Sequence, residues 1–394
     1  MKLVDVCAFY APKGGGVRTY VDRKLKAGAA MGHEVVVIAP GSHDHVEHRG
    51  PNARIVWLKS TLFPLDFNYR YFSDIPGLYA ALDREQPDFV EASSPWRSAS
   101  VIADWPGAAP RALIMHADPL SAYAYRWLDP IATRPTIDTI FDRYWQHLRR
   151  LDTRYDMIVS ASQGLSDRLA AGGVSRVVTN PMGVDPGVFS PGLRDEALRA
   201  GMLAMVDLPP QATLLLGVGR FAPEKRWPML VEAVTAAGTR TPVGMVLAGQ
   251  GRDRKAIERK IGENPHIRIL APITERAELA RVMASADALI HGCEAETFCM
   301  VAAEARASGL PLIAPDEGGA ADQARASGGF LYESADAAAA ADAVVDYATQ
   351  RLAGLAGPRA DLPPPRTMDD HFAELFASYE RIIAQGKAGG LRAA

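Results

Sequence analysis

The sequence predicts an α/β protein of two domains, each built on a parallel sheet, and three observations carry that expectation. First, 394 residues exceed what one hydrophobic core usually serves and suit two. Second, short aliphatic and β-branched runs alternate with helical stretches along most of the chain. Strands that are apolar throughout are covered on both faces, as in parallel sheets. Third, Pro181, Gly183, Pro186, Gly187, Pro191 and Gly192 crowd together near mid-chain, the punctuation of a linker. The composition, 48% hydrophobic and 23% charged, is ordinary for a globular enzyme, and a net charge of −3 supplies no field for nucleic acid.

The first domain opens as strand, glycine loop, helix, strand: residues 3–10, Ala11 to Gly16, 17–31 and 34–39. The loop lacks the Lys-Ser/Thr of a P-loop and the GxGxxG spacing, so Gly14-Gly15-Gly16 is either a tight turn or a phosphate cradle at a helix start. Residues 41–48 carry His43, His45 and His48 but no closed metal-site spacing, and are expected to be an exposed loop. Further strands are expected at 55–59, 88–92, 111–115, 157–162 and 176–180. His116 follows the third of these, with Asp118 two residues on, at the sheet edge where open α/β folds bind ligands. The aromatic segment 63–72 reads as core or as a surface for an apolar acceptor; segment 119–150, with Tyr123, Tyr125, Trp127, Tyr144 and Trp145, reads as helix packing, the alternative being an acceptor groove or a lipid interface.

The second domain is expected from residue 211, with strands at 213–217, 243–248, 266–270 and 286–291. Arg220 and Lys225 fall on the loop after its first strand, where two cations beside a helix start suit a diphosphate. The stretch His291–Gly319 carries Glu296 and Glu304 about a helix start, a Gly309-Leu310-Pro311 turn and Gly318-Gly319, together a candidate nucleoside-diphosphate site. An Ala-rich helix over 335–351 and a Pro-rich connector over 354–366 follow. The last helix, 367–385, places Phe372, Leu375, Phe376, Tyr379 and Ile382-Ile383 at helical spacing. The expected domains are 1–185, 186–366 and a helix over 367–386. Three cysteines make no closed disulfide framework, and the N-terminus lacks a signal-peptide pattern, so a cytoplasmic protein is expected. No apolar run is long enough to span a bilayer, so any membrane contact would be peripheral.

The ordered set of motifs resembles retaining glycosyltransferases of family 4. It comprises Gly15-Gly16, Gly32-His33-Glu34-Val35, His116, Gly183-Val184-Asp185 with Phe189 and Pro191, Gly219-Arg220 with Glu224-Lys225, Gly249-Gln250-Gly251, and the Glu296–Glu304 region with Phe298. The resemblance implies a GT-B fold: two Rossmann-like domains facing across a cleft, with the last helix crossing back to the first. It implies that Glu304 holds the donor ribose and that Arg220 and Lys225 neutralise the diphosphate. It implies that the backbone of Phe298, Cys299 and Met300 binds phosphate or sugar. Glu296 would contact the donor sugar and His116 would lie beside it. Gly15, Gly16 and Gly219 would give close approach to the diphosphate.

The chain departs from the family at Thr297 and Cys299, which replace small residues; Cys299 is expected to tighten the donor pocket. Gly292-Cys293 stands where Pro-Ser is usual. Thr297 and Ala92 to Pro95 look most like the sulfoquinovosyl-diacylglycerol synthase branch, which favours a lipid acceptor. No Asp-x-Asp pair is present, so no metal or other cofactor is expected. The expected function is hexosyl transfer from a nucleoside-diphosphate sugar to a membrane lipid. The alternatives are transfer to a polysaccharide or small soluble acceptor, sugar-nucleotide epimerisation, or non-catalytic nucleotide-sugar binding.

Overall fold

The computed structural model describes residues 1–10, 16–63, 69–116, 118, 120–125, 128, 131–361 and 363–393. The chain divides into two compact units. One holds Met1–Asp118, Leu128–Pro181 and Met368–Ala394; the other holds Pro119–Trp127 and Met182–Thr367.

In the first unit the main strands are β1 (Lys2–Val6), β2 (Glu34–Gly41), β3 (His45–Gly50), β4 (Ala53–Lys59), β7 (Phe89–Ser93), β8 (Arg111–Met115), β9 (Met157–Ser160) and β10 (Val177–Thr179). A small hairpin, β5 (Thr61–Leu62) with β6 (Arg70–Tyr71), lies outside that sheet. Among the described residues the sheet order is β10-β9-β8-β7-β1-β2-β4-β3. All pairings are parallel except β3 with β4. β3 corrects the expected loop at 41–48. An edge strand pairs through its backbone on one side only, so a polar sequence can form it. His43 stacks on His45 at 4.5 Å and His45 on Trp57 at 5.6 Å, so two of the three histidines pack as rings.

Beneath β1 and β7 lies a buried charged cluster. Lys24, on the helix Gly16–Ala30, is wholly buried and pairs with both Asp5 on β1 and Glu91 on β7. Ser93 donates to the second Asp5 oxygen at 3.1 Å, and Tyr379 donates to the second Glu91 oxygen at 2.8 Å. Each carboxylate oxygen thus has a donor, which is what permits two carboxylates and an ammonium to be dry.

Tyr379 lies on the C-terminal helix Met368–Ala393, which packs within this unit. Phe372, Leu375, Phe376 and Tyr379 are buried at the predicted spacing. They rest on Tyr20, His33 and Phe89. At about 1.5–3 kcal/mol for each large apolar side chain, this burial holds the helix far more firmly than helix propensity could.

The second unit has β11 (Thr213–Val218), β12 (Val243–Ala248), β13 (Ile267–Ile269), β14 (Ala288–Ile290), β15 (Leu312–Pro315) and β16 (Phe330–Tyr332). They are parallel, in the order β13-β12-β11-β14-β15-β16. This is the doubly wound order whose direction reverses between β11 and β14. Alternation explains the unbroken apolar strands. Leu215, Met245 and Leu247 enter one core, with the helices Trp227–Gly238 and Ala337–Leu352. Leu214, Leu216 and Val246 enter the other, with the helices Glu196–Met205, Arg276–Ser285 and Met300–Ala307.

Lys24→Met removes one cation and leaves two carboxylates buried without it. The expected cost is about 3–5 kcal/mol of unfolding free energy, read from urea denaturation. A cost below about 1 kcal/mol would mean that water reaches this cluster.

Candidate active site

In an open α/β sheet the crevice for ligands lies beyond the carboxyl ends of the strands where the order reverses. In the second unit those ends are Val218 on β11 and Ile290 on β14. After β11 the chain runs through Gly219 and Arg220 into a turn at Pro223–Lys225. Phe221 and Trp227 are buried and anchor this loop, with the Trp227 indole donating to the Arg220 carbonyl at 2.8 Å. With the aromatics inside, the charged residues are left facing the strand ends.

Two ion pairs join this loop to the one after β14. Lys225 pairs with Glu296. Arg226 pairs with Glu294 through two nitrogens, Nε lying 2.8 Å from Oε2. Burial alone would lower the Lys225 pKa, but Glu296, Cys293 and Cys299 together hold the ammonium above its ordinary value. Burial likewise pushes Glu296 up, and Lys225, His291 and Arg220 together bring it below the usual carboxylate range. Both groups are therefore charged at neutral pH. Arg220 is exposed and pairs with Glu224 at 3.0 Å.

The Glu294–Phe298 loop is held from behind by Gly318-Gly319. These residues open a helix, Gly318–Arg325, that the sequence reading did not include. Gly319 N–H donates to the Glu296 carbonyl at 2.6 Å, and a Cβ on Gly319 would lie 2.5 Å from the Phe298 backbone. Only glycine permits that approach.

Cys299 precedes the helix Met300–Ala307 with φ 63°, the left-handed region, and no side chain caps that helix. Glycine suits this position because the backbone there is left-handed. The thiol is buried, and Sγ lies 3.6 Å from His291 Nε2. Its side chain packs in the second unit's core.

Glu304 is buried, and Arg276 Nη1 lies 2.8 Å from it. Arg276 also donates to Asp185 at 3.1 Å and covers the Phe189 ring at 4.9 Å. The Gly183-Val184-Asp185 and Phe189 motifs thus serve the surroundings of Glu304. Arg276, Arg226, Glu294 and His291 had escaped sequence reasoning, since each is one charge among many until the fold pairs it.

In the first unit, His116 follows β8 and Tyr20 meets it edge-on at 4.9 Å. Ser93 gives its proton to Asp5, so at 3.2 Å it accepts from His116 Nε2–H. Burial, then the nearby Lys24 and His371, lower the His116 pKa to about 3. Gly16 begins the first helix, and a Cβ there would meet nothing within 4 Å. Gly15 lies outside the described residues, as do 64–68, 119, 126, 127, 129 and 130 of the aromatic segments.

Two Rossmann-like parallel-sheet units in one chain are the GT-B fold of nucleotide-sugar-dependent glycosyltransferases. The chain belongs to glycosyltransferase family 4. Residues 14–188 match the model for Glycosyltransferase Family 4 and residues 212–350 that for Glycosyl transferases group 1. A GDP-mannose-dependent alpha-mannosyltransferase of Mycolicibacterium smegmatis is 30% identical, over 98% of each chain. A GDP-mannose-dependent alpha-(1-6)-phosphatidylinositol dimannoside mannosyltransferase of Mycobacterium tuberculosis is 28% identical over 79% of each. The sulfoquinovosyl transferase SQD2 of Arabidopsis thaliana is 25% identical, over 78% of this chain and 58% of its own. Among solved structures, sucrose-phosphate synthase from Thermosynechococcus elongatus superimposes with a TM-score of 0.68 at 19% identity, over 100% of this chain and 98% of its own.

The low pKa of His116 has a consequence for stability. The imidazole titrates near 6.5 when unfolded and near 3 when folded, so its contribution is complete above 6.5 and is lost as pH falls. At pH 5 the loss is about 2 kcal/mol. The unfolding free energy of His116→Asn should therefore change less between pH 7.5 and pH 5 than that of the wild type, measured by urea titration at both.

Proposed function

We propose that this chain is a retaining, metal-independent glycosyltransferase that moves mannose from GDP-mannose to a lipid acceptor at a membrane surface. The observation that carries this reading is the Lys225–Glu296 pair at the reversal point of the second sheet. As the glycosidic bond breaks, negative charge grows on the departing diphosphate. A fixed ammonium, the Arg220 guanidinium and the start of the Met300–Ala307 helix meet that charge without reorganising. Glu296 is held ionised, so it accepts hydrogen bonds from sugar hydroxyls and has no proton to donate. Departure and attack then occur on one face of the sugar, and configuration is retained. Glu304, steadied by Arg276, takes the ribose diol. His116, neutral and oriented by Ser93, belongs to the first unit and keeps the role that the family resemblance implies for it.

The donor is proposed from relatives whose names specify GDP-mannose, and the lipid acceptor from one whose name specifies a phosphatidylinositol mannoside. Trp96, Ile131 and Ile140 support contact with lipid, since 42%, 80% and 63% of their surfaces are exposed. No helix of the described residues is long and apolar enough to cross a membrane, so that contact would be peripheral.

Radiolabelled GDP-mannose should transfer label to phosphatidylinositol-containing vesicles and leave aqueous oligosaccharide acceptors unlabelled. The opposite distribution would select the soluble-acceptor reading. GDP-mannose should raise the melting temperature more than UDP-glucose or ADP-glucose does. Lys225→Ala should lower kcat by about 100-fold or more, and Glu304→Ala should raise the donor KM, both with unchanged circular dichroism. Near wild-type turnover in both variants would sink the assignment.

A further inference from the structure

We propose that His291, Glu296 and Cys299 form a binding site for a thiophilic divalent cation of the zinc class, and that its occupancy inhibits the enzyme by taking Glu296 from Lys225. These residues offer an imidazole nitrogen, a carboxylate oxygen and a sulfur, all within 4.8 Å of one another. The sulfur lies 3.6 Å from His291 Nε2. Zinc bonds of about 2.3 Å to sulfur and about 2.0–2.1 Å to nitrogen, at a tetrahedral angle, require an edge of about 3.6 Å. Two ligands therefore stand at bonding separation already, and Glu296, at the partly exposed mouth, closes the third.

The supporting groups fit as well. His291 is buried, and its ring is hydrogen-bonded to the Cys293 backbone. A ring held through its other nitrogen presents a bare lone pair to a metal. Tyr332 fixes the His291 backbone by donating to its carbonyl at 2.5 Å. The left-handed backbone at Cys299 aims its sulfur at the imidazole. One sulfur, one nitrogen and one oxygen select zinc, cadmium or cobalt; magnesium and calcium demand oxygen ligands.

Binding forms metal–sulfur, metal–nitrogen and metal–oxygen bonds, breaks the Cys299 S–H bond and releases that proton to solvent. The metal and the Lys225 ammonium compete for one carboxylate, so occupancy opens the ion pair. The inhibitory half rests on the role proposed for Lys225; the binding half does not.

The test uses the metal-stripped full chain, titrated with cobalt(II) and then zinc. Cobalt should produce a thiolate-to-metal charge-transfer band and the strong visible bands of a four-coordinate ion, and zinc should abolish both. Cys299→Ser should lose the charge-transfer band, His291→Gln should weaken cobalt binding at least tenfold, and Cys293→Ser should keep the band. Zinc should inhibit mannosyl transfer over the range in which it displaces cobalt. His291→Gln, referred to its own metal-free rate, should need at least tenfold more zinc. Absence of a charge-transfer band in the wild type would overturn the site without recourse to any variant. So would a band that survives Cys299→Ser, or saturation only at millimolar metal. A band without inhibition would keep the site and overturn the inhibitory half, leaving the transferase assignment to the Lys225→Ala assay.

Discussion

The ion pair between Lys225 and Glu296 is the constraint to which the second unit conforms. It joins the loops that follow β11 and β14, the two strands between which the sheet reverses. Partly buried charges of this kind are costly to desolvate and are kept only where their geometry is enforced. The enforcement is visible on both sides. Arg226 adopts φ 51° and locks onto Glu294; Cys299 adopts φ 63° and begins the helix beneath. Left-handed backbone at residues with a side chain costs roughly 1 kcal/mol or more at each. Here it flanks the pair, so the strain is local to the charges it places.

The first unit places its polar groups by the same means at greater depth. Lys24 gathers Asp5 and Glu91, and Ser93 carries that order to His116. The C-terminal helix belongs to this arrangement through two side chains: Tyr379 on Glu91, and His371, whose ring hydrogen-bonds with the Tyr20 hydroxyl at 2.9 Å. An aliphatic core would hold that helix equally well. The polar route adds a fixed tautomer at His116, because a serine that donates to Asp5 can only accept from the imidazole.

Periodicity made much of the fold legible. Apolar runs located β1, β2, β4, β11 and β12, and the buried stripe of the last helix was read residue by residue. What escaped reading has physical reasons. β3 is polar because an edge strand needs no buried face, so hydropathy had nothing to register. The helix Gly318–Arg325 begins with two glycines, which are poor helix formers, because close approach to Phe298 outweighs propensity. Within the candidate site, Arg220, Lys225, Glu296 and Glu304 could be named from their positions beside strand ends. Arg276, the partner of Glu304, and the neighbouring Arg226–Glu294 pair could not, because these pairs join residues far apart in sequence.

The pairing of Lys225 also bears on how an enzyme of this kind would admit its donor. A buried ammonium with no counter-ion would cost several kcal/mol, so Lys225 needs an anion in each state it occupies. In this structure that anion is Glu296; in the proposed reaction the diphosphate would share the cation, at little cost in reorganisation because it is already charged. A metal on Glu296 would offer Lys225 no such exchange and would add a second positive centre beside it. One carboxylate would thus stand between two cations that cannot both hold it, and its position, fixed by Gly319 from behind, decides which of them the diphosphate meets.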